Sequence, residues 1–140
     1  MRVMVFVKGD MPANAPGPNE AMLAAMGTFN EELANAGILL AADGLRPSAL
    51  GKRVKLRDNK PSVTDGPFAE AKELVGGYWV WRVKSIDEAV EWVKKAPFPP
   101  NFEVEIEIRP ISEEADFGDA MTPAIRTQQK RLRERIAKNQ

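Results

Sequence analysis

The residues best equipped for chemistry cluster in one short stretch: Asp65-Gly66-Pro67-Phe68, then Glu70, Lys72, Tyr78 and Trp81. A carboxylate held in a stiff loop can transfer a proton or bind a cation, so Asp65 is the candidate catalytic group. Asp65, Phe68, Glu70, Lys72, Tyr78 and Trp81 are the candidate ligand-binding residues. Phe68 and Trp81 would supply apolar wall, and Tyr78 a hydroxyl that orients a polar ligand. Each has a plainer reading. Asp-Gly is a strong turn pair and Pro67 fixes its own φ, so Asp65 can be consumed by backbone donors in an Asx-type turn. Glu70 and Lys72 can be a solvated charge pair, and the aromatics can complete a core or a subunit seam.

Composition narrows the chemistry. The 140 residues contain no His and no Cys. That removes the side chain suited to proton transfer near neutral pH, thiolate nucleophiles, disulfides and the commonest zinc ligands. No metal or cofactor is therefore expected. Acid-base work would fall to Asp65, Glu70 or Lys72, with Asp43 or Tyr78, all poor proton carriers at neutral pH unless their surroundings shift them. The residues leave open whether the chain is an enzyme. Arg57, Arg82 and Arg109 could pair with an anion, but their scattered positions do not show that they converge. Gly76-Gly77 lacks the longer glycine-rich context of a phosphate loop.

Twenty basic residues balance twenty acidic ones, so no global field favours nucleic acid or an anionic membrane. No apolar run reaches the ~20 residues of a membrane helix, and the opening Val3–Val7 run is too short for a secretory leader. A cytoplasmic protein is the expectation.

Periodicity indicates the elements that must position these groups. Val3–Val7 is a β-branched apolar run, expected as a buried strand, and prolines at 12, 16 and 18 keep the next segment irregular. Asn19 can cap a helix whose Met22, Met26, Phe29 and Leu33 form one stripe, with Gly37 as its stop. Ile38–Ala42 predicts a strand ending at Asp43-Gly44. Arg53–Arg57 and Pro61–Thr64 flank Asp58-Asn59 as a hairpin, with Pro61 at an edge. Gly77–Val83 is the next strand, with Trp79, Trp81 and Val83 on one side and Tyr78, Val80 and Arg82 on the other, so both faces should be at least partly covered. Ser85–Glu88 reads as a capping box before a helix through Ile86, Ala89, Val90 and Val93. Phe102, Val104, Ile106 and Ile108 alternate with acidic residues in a last strand stopped by Pro110.

This order is the βαββαβ pattern of an α+β, ferredoxin-like fold with an added hairpin. A second copy covering the free sheet face would make a homodimer. Residues 1–110 form the expected domain and 111–140 an acidic linker followed by a basic helix, six Lys or Arg against one Glu between 126 and 138. Packing or solubility is the expected use of that helix.

The motif Val63-Thr64-Asp65-Gly66-Pro67-Phe68-Ala69-Glu70, with Glu31-Glu32-Leu33, Ala36-Gly37, Gly44-Leu45, Pro47, Lys72-Glu73, Gly76-Gly77, Asp87-Glu88-Ala89 and the Glu105–Pro110 ending, resembles the YCII-related family over residues 1–110. It is most similar to the subgroup marked by Asp-Gly-Pro-Phe, the DGPF domain. The resemblance implies a dimeric α+β barrel with a pocket between sheet and helices. It also implies an acid-base His and Asp pair, yet Thr28-Phe29 occupies the helix region where relatives carry the His. Transcription-related labels borne by some members find no helix-turn-helix or net basic charge here. Two functions remain: a small-molecule pocket near the Asp65 loop, or a noncatalytic structural or regulatory dimer.

Overall fold

A computed structural model describes all residues, Met1–Gln140. Six strands and three α-helices are arranged in the order β1 (Arg2–Lys8), α1 (Glu20–Asn35), β2 (Leu39–Gly44), β3 (Lys52–Arg57), β4 (Lys60–Asp65), β5 (Val75–Arg82), α2 (Ile86–Val93), β6 (Ile106–Pro110) and α3 (Pro123–Lys138). The main sheet runs β2-β5-β1-β6, and all its neighbouring pairs are antiparallel. That order, with two crossover helices, is compatible with a ferredoxin-like fold. The sheet is open, with β2 and β6 as its edges, and forms no closed barrel.

The local signals act where the residue chemistry places them. Asn19 accepts the Met22 N–H at 2.9 Å and caps α1. Gly37, at φ 73°, turns the chain out of it. Ser85 accepts the Glu88 N–H at 3.1 Å, but the Glu88 carboxylate reaches one residue further back than in a capping box, to the Lys84 N–H. Asp58 and Asn59 both take the left-handed conformation that a tight hairpin turn demands.

Alternation sorts the sheet into two faces. Val3 and Val5 on β1 lie beside Trp81 and Trp79 on β5, and all four are buried under α1 and α2 with Phe29, Leu33, Ile38, Val83 and Ala89. Phe29 meets Trp79 edge-on at 6.0 Å between ring centroids and Trp81 at 6.4 Å. Aromatic pairs of this kind add about 0.5–1.5 kcal/mol beyond their burial. The opposite face presents Met4, Phe6, Tyr78 and Val80, half-buried, with Arg82 exposed.

Two expectations are corrected in detail. The apolar stripe of α1 is buried only in its second half: Met22 remains 44% exposed, because the first turns of the helix extend beyond the buried aromatic cluster. The last strand begins at Ile106 rather than Phe102. Its partner β1 ends at Lys8, whose N–H donates to the Glu105 carbonyl, so residues before 105 have no ladder to join.

The β3/β4 hairpin pairs only with itself, and all twelve of its residues are exposed. Pro61 is tolerated in β4 because both strands of a two-stranded ribbon are edges. No helix is long and apolar enough to cross a membrane.

Candidate functional site

The Asp65 loop works as a clasp. Gly66 lies so close to the Ser48 carbonyl that a Cβ there would come within 1.8 Å of the oxygen, so only glycine fits. Its N–H donates to the Gly51 carbonyl at 3.0 Å, and the Phe68 N–H donates to the Ser48 hydroxyl oxygen at 3.1 Å. Ser48 in turn donates its backbone N–H to Asp10 at 2.9 Å and its hydroxyl to the other carboxylate oxygen of the same residue. Three distant segments are thus tied through one serine. Those hydrogen bonds, the hydroxyl first, hold the Asp10 carboxyl below the usual carboxylate range.

Asp65 itself stands outside this clasp. Its side chain is 74% exposed and pairs with Lys52 at 2.5 Å across the base of the hairpin. Glu70, at φ 60°, and Lys72 are exposed on the next turn and form no ion pair with one another. Phe68 is half-buried under the Arg53 guanidinium, 4.1 Å from its ring centroid, and borders a cleft of about 490 Å³ with Asp10, Arg46 and Ser48. Trp81 is wholly buried in the core, and its indole N–H has no partner.

A second, more apolar cavity of about 270 Å³ lies where β1 and β2 end, β5 begins and α1 crosses above them. Val7, Met26, Ala42, Trp79 and Phe98 supply its apolar wall. Gly76 and Gly77 add no side chains, which keeps the space open. Packing requires this as well: a Cβ on Gly76 would approach the Gly9 carbonyl to 3.2 Å, and one on Gly77 the Asp43 carbonyl to 3.3 Å.

Three polar residues border the same cavity: Asn30 from α1, and Asp43 and Tyr78 from the sheet, whose side chains alternate onto the helix-free face. Asn30 accepts the Trp79 indole N–H at 2.8 Å, which consumes its carbonyl oxygen and leaves its NH2 group as a donor. Asp43 and Tyr78 are cross-strand neighbours on β2 and β5, and the tyrosine hydroxyl donates to Asp43 Oδ2 at 3.1 Å. That hydrogen bond, reinforced by the carboxylate charge, pushes the Tyr78 phenol above its ordinary pKa. The tyrosine therefore remains a neutral phenol whose one proton is donated to Asp43.

Of the residues expected from sequence, the structure brings Tyr78 and Asp43 together at this cavity and leaves Asp65, Glu70, Lys72 and Trp81 away from its lining. Asn30, Ser48 and Asp10 carried no sequence signal beyond their polarity, since their partners come from other elements. Nowhere do three acidic residues gather closely enough to hold a metal ion. No curated protein matches the chain. The YCII-related domain matches residues 1–115.

Proposed function

The chain belongs to the YCII-related family, and from that premise we propose that it binds a small, largely apolar molecule in the cavity beneath α1, with the Asn30 NH2 group meeting the ligand's polar end. The observation that carries this reading is an apolar hollow bordered by one side-chain donor left without a partner, the Asn30 NH2 group. At about 270 Å³ the space is just below the roughly 300 Å³ at which drug-sized sites begin, so the ligand is a small one. The Asn30 NH2 calls for an acceptor on the ligand.

Within this reading the Asp-Gly-Pro-Phe loop is a support. It holds Ser48, Ser48 holds Asp10, and the adjoining Gly9 carbonyl abuts Gly76 in the cavity wall. Binding without turnover accounts for a site whose side-chain polar group is one amide, in a chain with no His or Cys.

Titration with small aromatic and alicyclic ketones, monitored by Trp79 emission, tests the proposal. A saturable change is expected, with affinity at least ~10-fold weaker in Asn30→Asp, which keeps an oxygen to accept from Trp79 but loses the NH2 group, equivalent to about 1.4 kcal/mol. Equal affinity in that variant, or no saturable change with any ketone, rejects it.

A second reading concerns assembly. Only ten of 140 residues are buried, and Met4, Phe6, Tyr78 and Val80 stay half-buried as an apolar patch on the helix-free face. We infer that a second copy covers this face and forms the α+β barrel of a homodimer. Sedimentation should give about twice the 15.5 kDa chain mass. A single monomeric species at micromolar concentration rejects this assembly.

A further inference from the structure

At the other end of β1 and β5, roughly 17 Å from the cavity at the strand rise, the surface changes character. A cleft of about 370 Å³ is lined by Met1, Arg2, Arg82, Glu113 and Arg133. The three arginines come from three elements, β1, β5 and α3. Arg2 and Arg82 are register partners and point to the same face of the sheet. Like charges directly opposite one another on neighbouring strands are unfavourable, and nothing in strand formation requires them.

One carboxylate answers this charge. Glu113 takes Arg2 in a two-pronged pair, Nε to Oε1 at 3.0 Å and Nη2 to Oε2 at 3.3 Å. Arg82 and Arg133 enter no ion pair. Three guanidiniums and the Met1 ammonium, which donates to the Val83 carbonyl, face one carboxylate and leave an excess of positive charge. The Glu113 carboxyl is held below its ordinary range mainly by the Arg2 hydrogen bond, with Arg133 adding to the effect, so the charge of the helix is felt inside the cleft.

We propose that this cleft binds the phosphate group of a small phosphorylated molecule, with Arg82 and Arg133 as its principal donors and Arg2 held in place by Glu113. A phosphate monoester carries close to two negative charges above its second pKa of about 6, which offsets most of the local excess. Its tetrahedral oxygens also suit the planar fork of guanidinium donors better than a single ammonium would. The repulsion between Arg2 and Arg82 is then relieved by the ligand. The site is independent of the cavity beneath α1.

Calorimetric titration with inorganic phosphate and with ethyl phosphate, at constant ionic strength, tests the proposal. Saturable one-to-one binding is expected, stronger at about pH 8 than at about pH 5.5 because the dianion predominates only at the higher pH. If ethyl phosphate binds at least as tightly as inorganic phosphate, the natural ligand is an ester; if only the free ion binds, it is inorganic phosphate, and either result supports the site. Arg82→Gln and Arg133→Gln should each weaken binding at least ~10-fold, while Arg131→Gln, on the same helix outside the cleft, should leave it unchanged. Without ligand, Arg82→Gln should melt at or above the wild-type temperature, because a cross-strand repulsion is removed.

Absence of saturable binding overturns the proposal. So does unchanged affinity in both cleft variants, or an equal loss in Arg131→Gln, which would show only diffuse helix charge. Binding of a single-stranded oligonucleotide that weakens equally on loss of any α3 cation would also overturn it.

Discussion

Ser48 and Asp10, 38 positions apart, are joined twice, backbone N–H to one carboxylate oxygen and hydroxyl to the other. The same hydroxyl oxygen receives the Phe68 N–H, so removing it also orphans a donor of the Asp-Gly-Pro-Phe loop. Ser48→Ala should therefore destabilise the fold by about 1–2 kcal/mol in denaturant titration. An unchanged midpoint would show that the clasp adds nothing.

The clasp also predicts a pH dependence. The Asp10 carboxyl is depressed in the folded state by its hydrogen bonds to Ser48. Its contribution is therefore fully present above the unfolded carboxylate value of about 3.9, and it is lost as pH falls through the lower folded value. Glu113, depressed by Arg2, acts in the same direction. Thermal melts from about pH 7 to pH 2 should show falling stability at the acid end, with a shallower fall in Asp10→Asn. Parallel curves for the two proteins would contradict this.

Gly66→Ala should be among the most damaging single substitutions in the chain. Its Cβ would sit 1.8 Å from the Ser48 carbonyl oxygen, a backbone atom that no rotamer change can move aside. A loss of about 3 kcal/mol or more is expected, at the upper end of overpacking costs. Wild-type stability in Gly66→Ala would mean that the β2 to β3 connection can relax.

Asp65→Asn should be mild by comparison. The carboxylate is exposed and its Lys52 partner is 66% exposed, and pairs of this kind contribute at most about 1 kcal/mol. Thermal melting should detect little change, and light scattering the same assembly as wild type. Gross unfolding or dissociation would make the charge a structural requirement.

The two core tryptophans should respond differently to the same change. Trp79→Phe leaves the Asn30 carbonyl oxygen without its donor, whereas Trp81→Phe removes an indole N–H that has no partner. Both lose the same ring volume, so Trp79→Phe should cost about 1 kcal/mol more than Trp81→Phe. Equal losses in denaturant titration would show that water replaces the missing partner at Asn30.

Much of the fold was legible in the residues because it depends on local repeats. Period-two alternation in β5 assigned Trp79 and Trp81 to one face and Tyr78 and Val80 to the other, and short-range chemistry placed the Asn19 cap, the Gly37 stop and the Asp58-Asn59 turn. Helix spacing in α1 identified Phe29 and Leu33 as core, but it overreached at Met22, since a stripe is buried only where something lies opposite it. The alternating pattern before Ile106 likewise needed a partner strand that ends too soon.

The candidate sites were legible only in fragments. Asp43 and Tyr78 were visible as reactive types, but their contact rests on the β2 to β5 register. Ser48 could not be linked to Asp10 and Phe68, nor Arg82 to Arg2 and Arg133, because side chains 20 to 131 positions apart meet only after strand order is set. By itself the sequence determined which segments become strands and helices, and which faces they bury, through forces acting within a few residues. The tertiary structure alone decided which polar groups share a cavity and which charges are left unpaired, because hydrogen bonds and ion pairs fall off within a few ångströms and are made by neighbours in space.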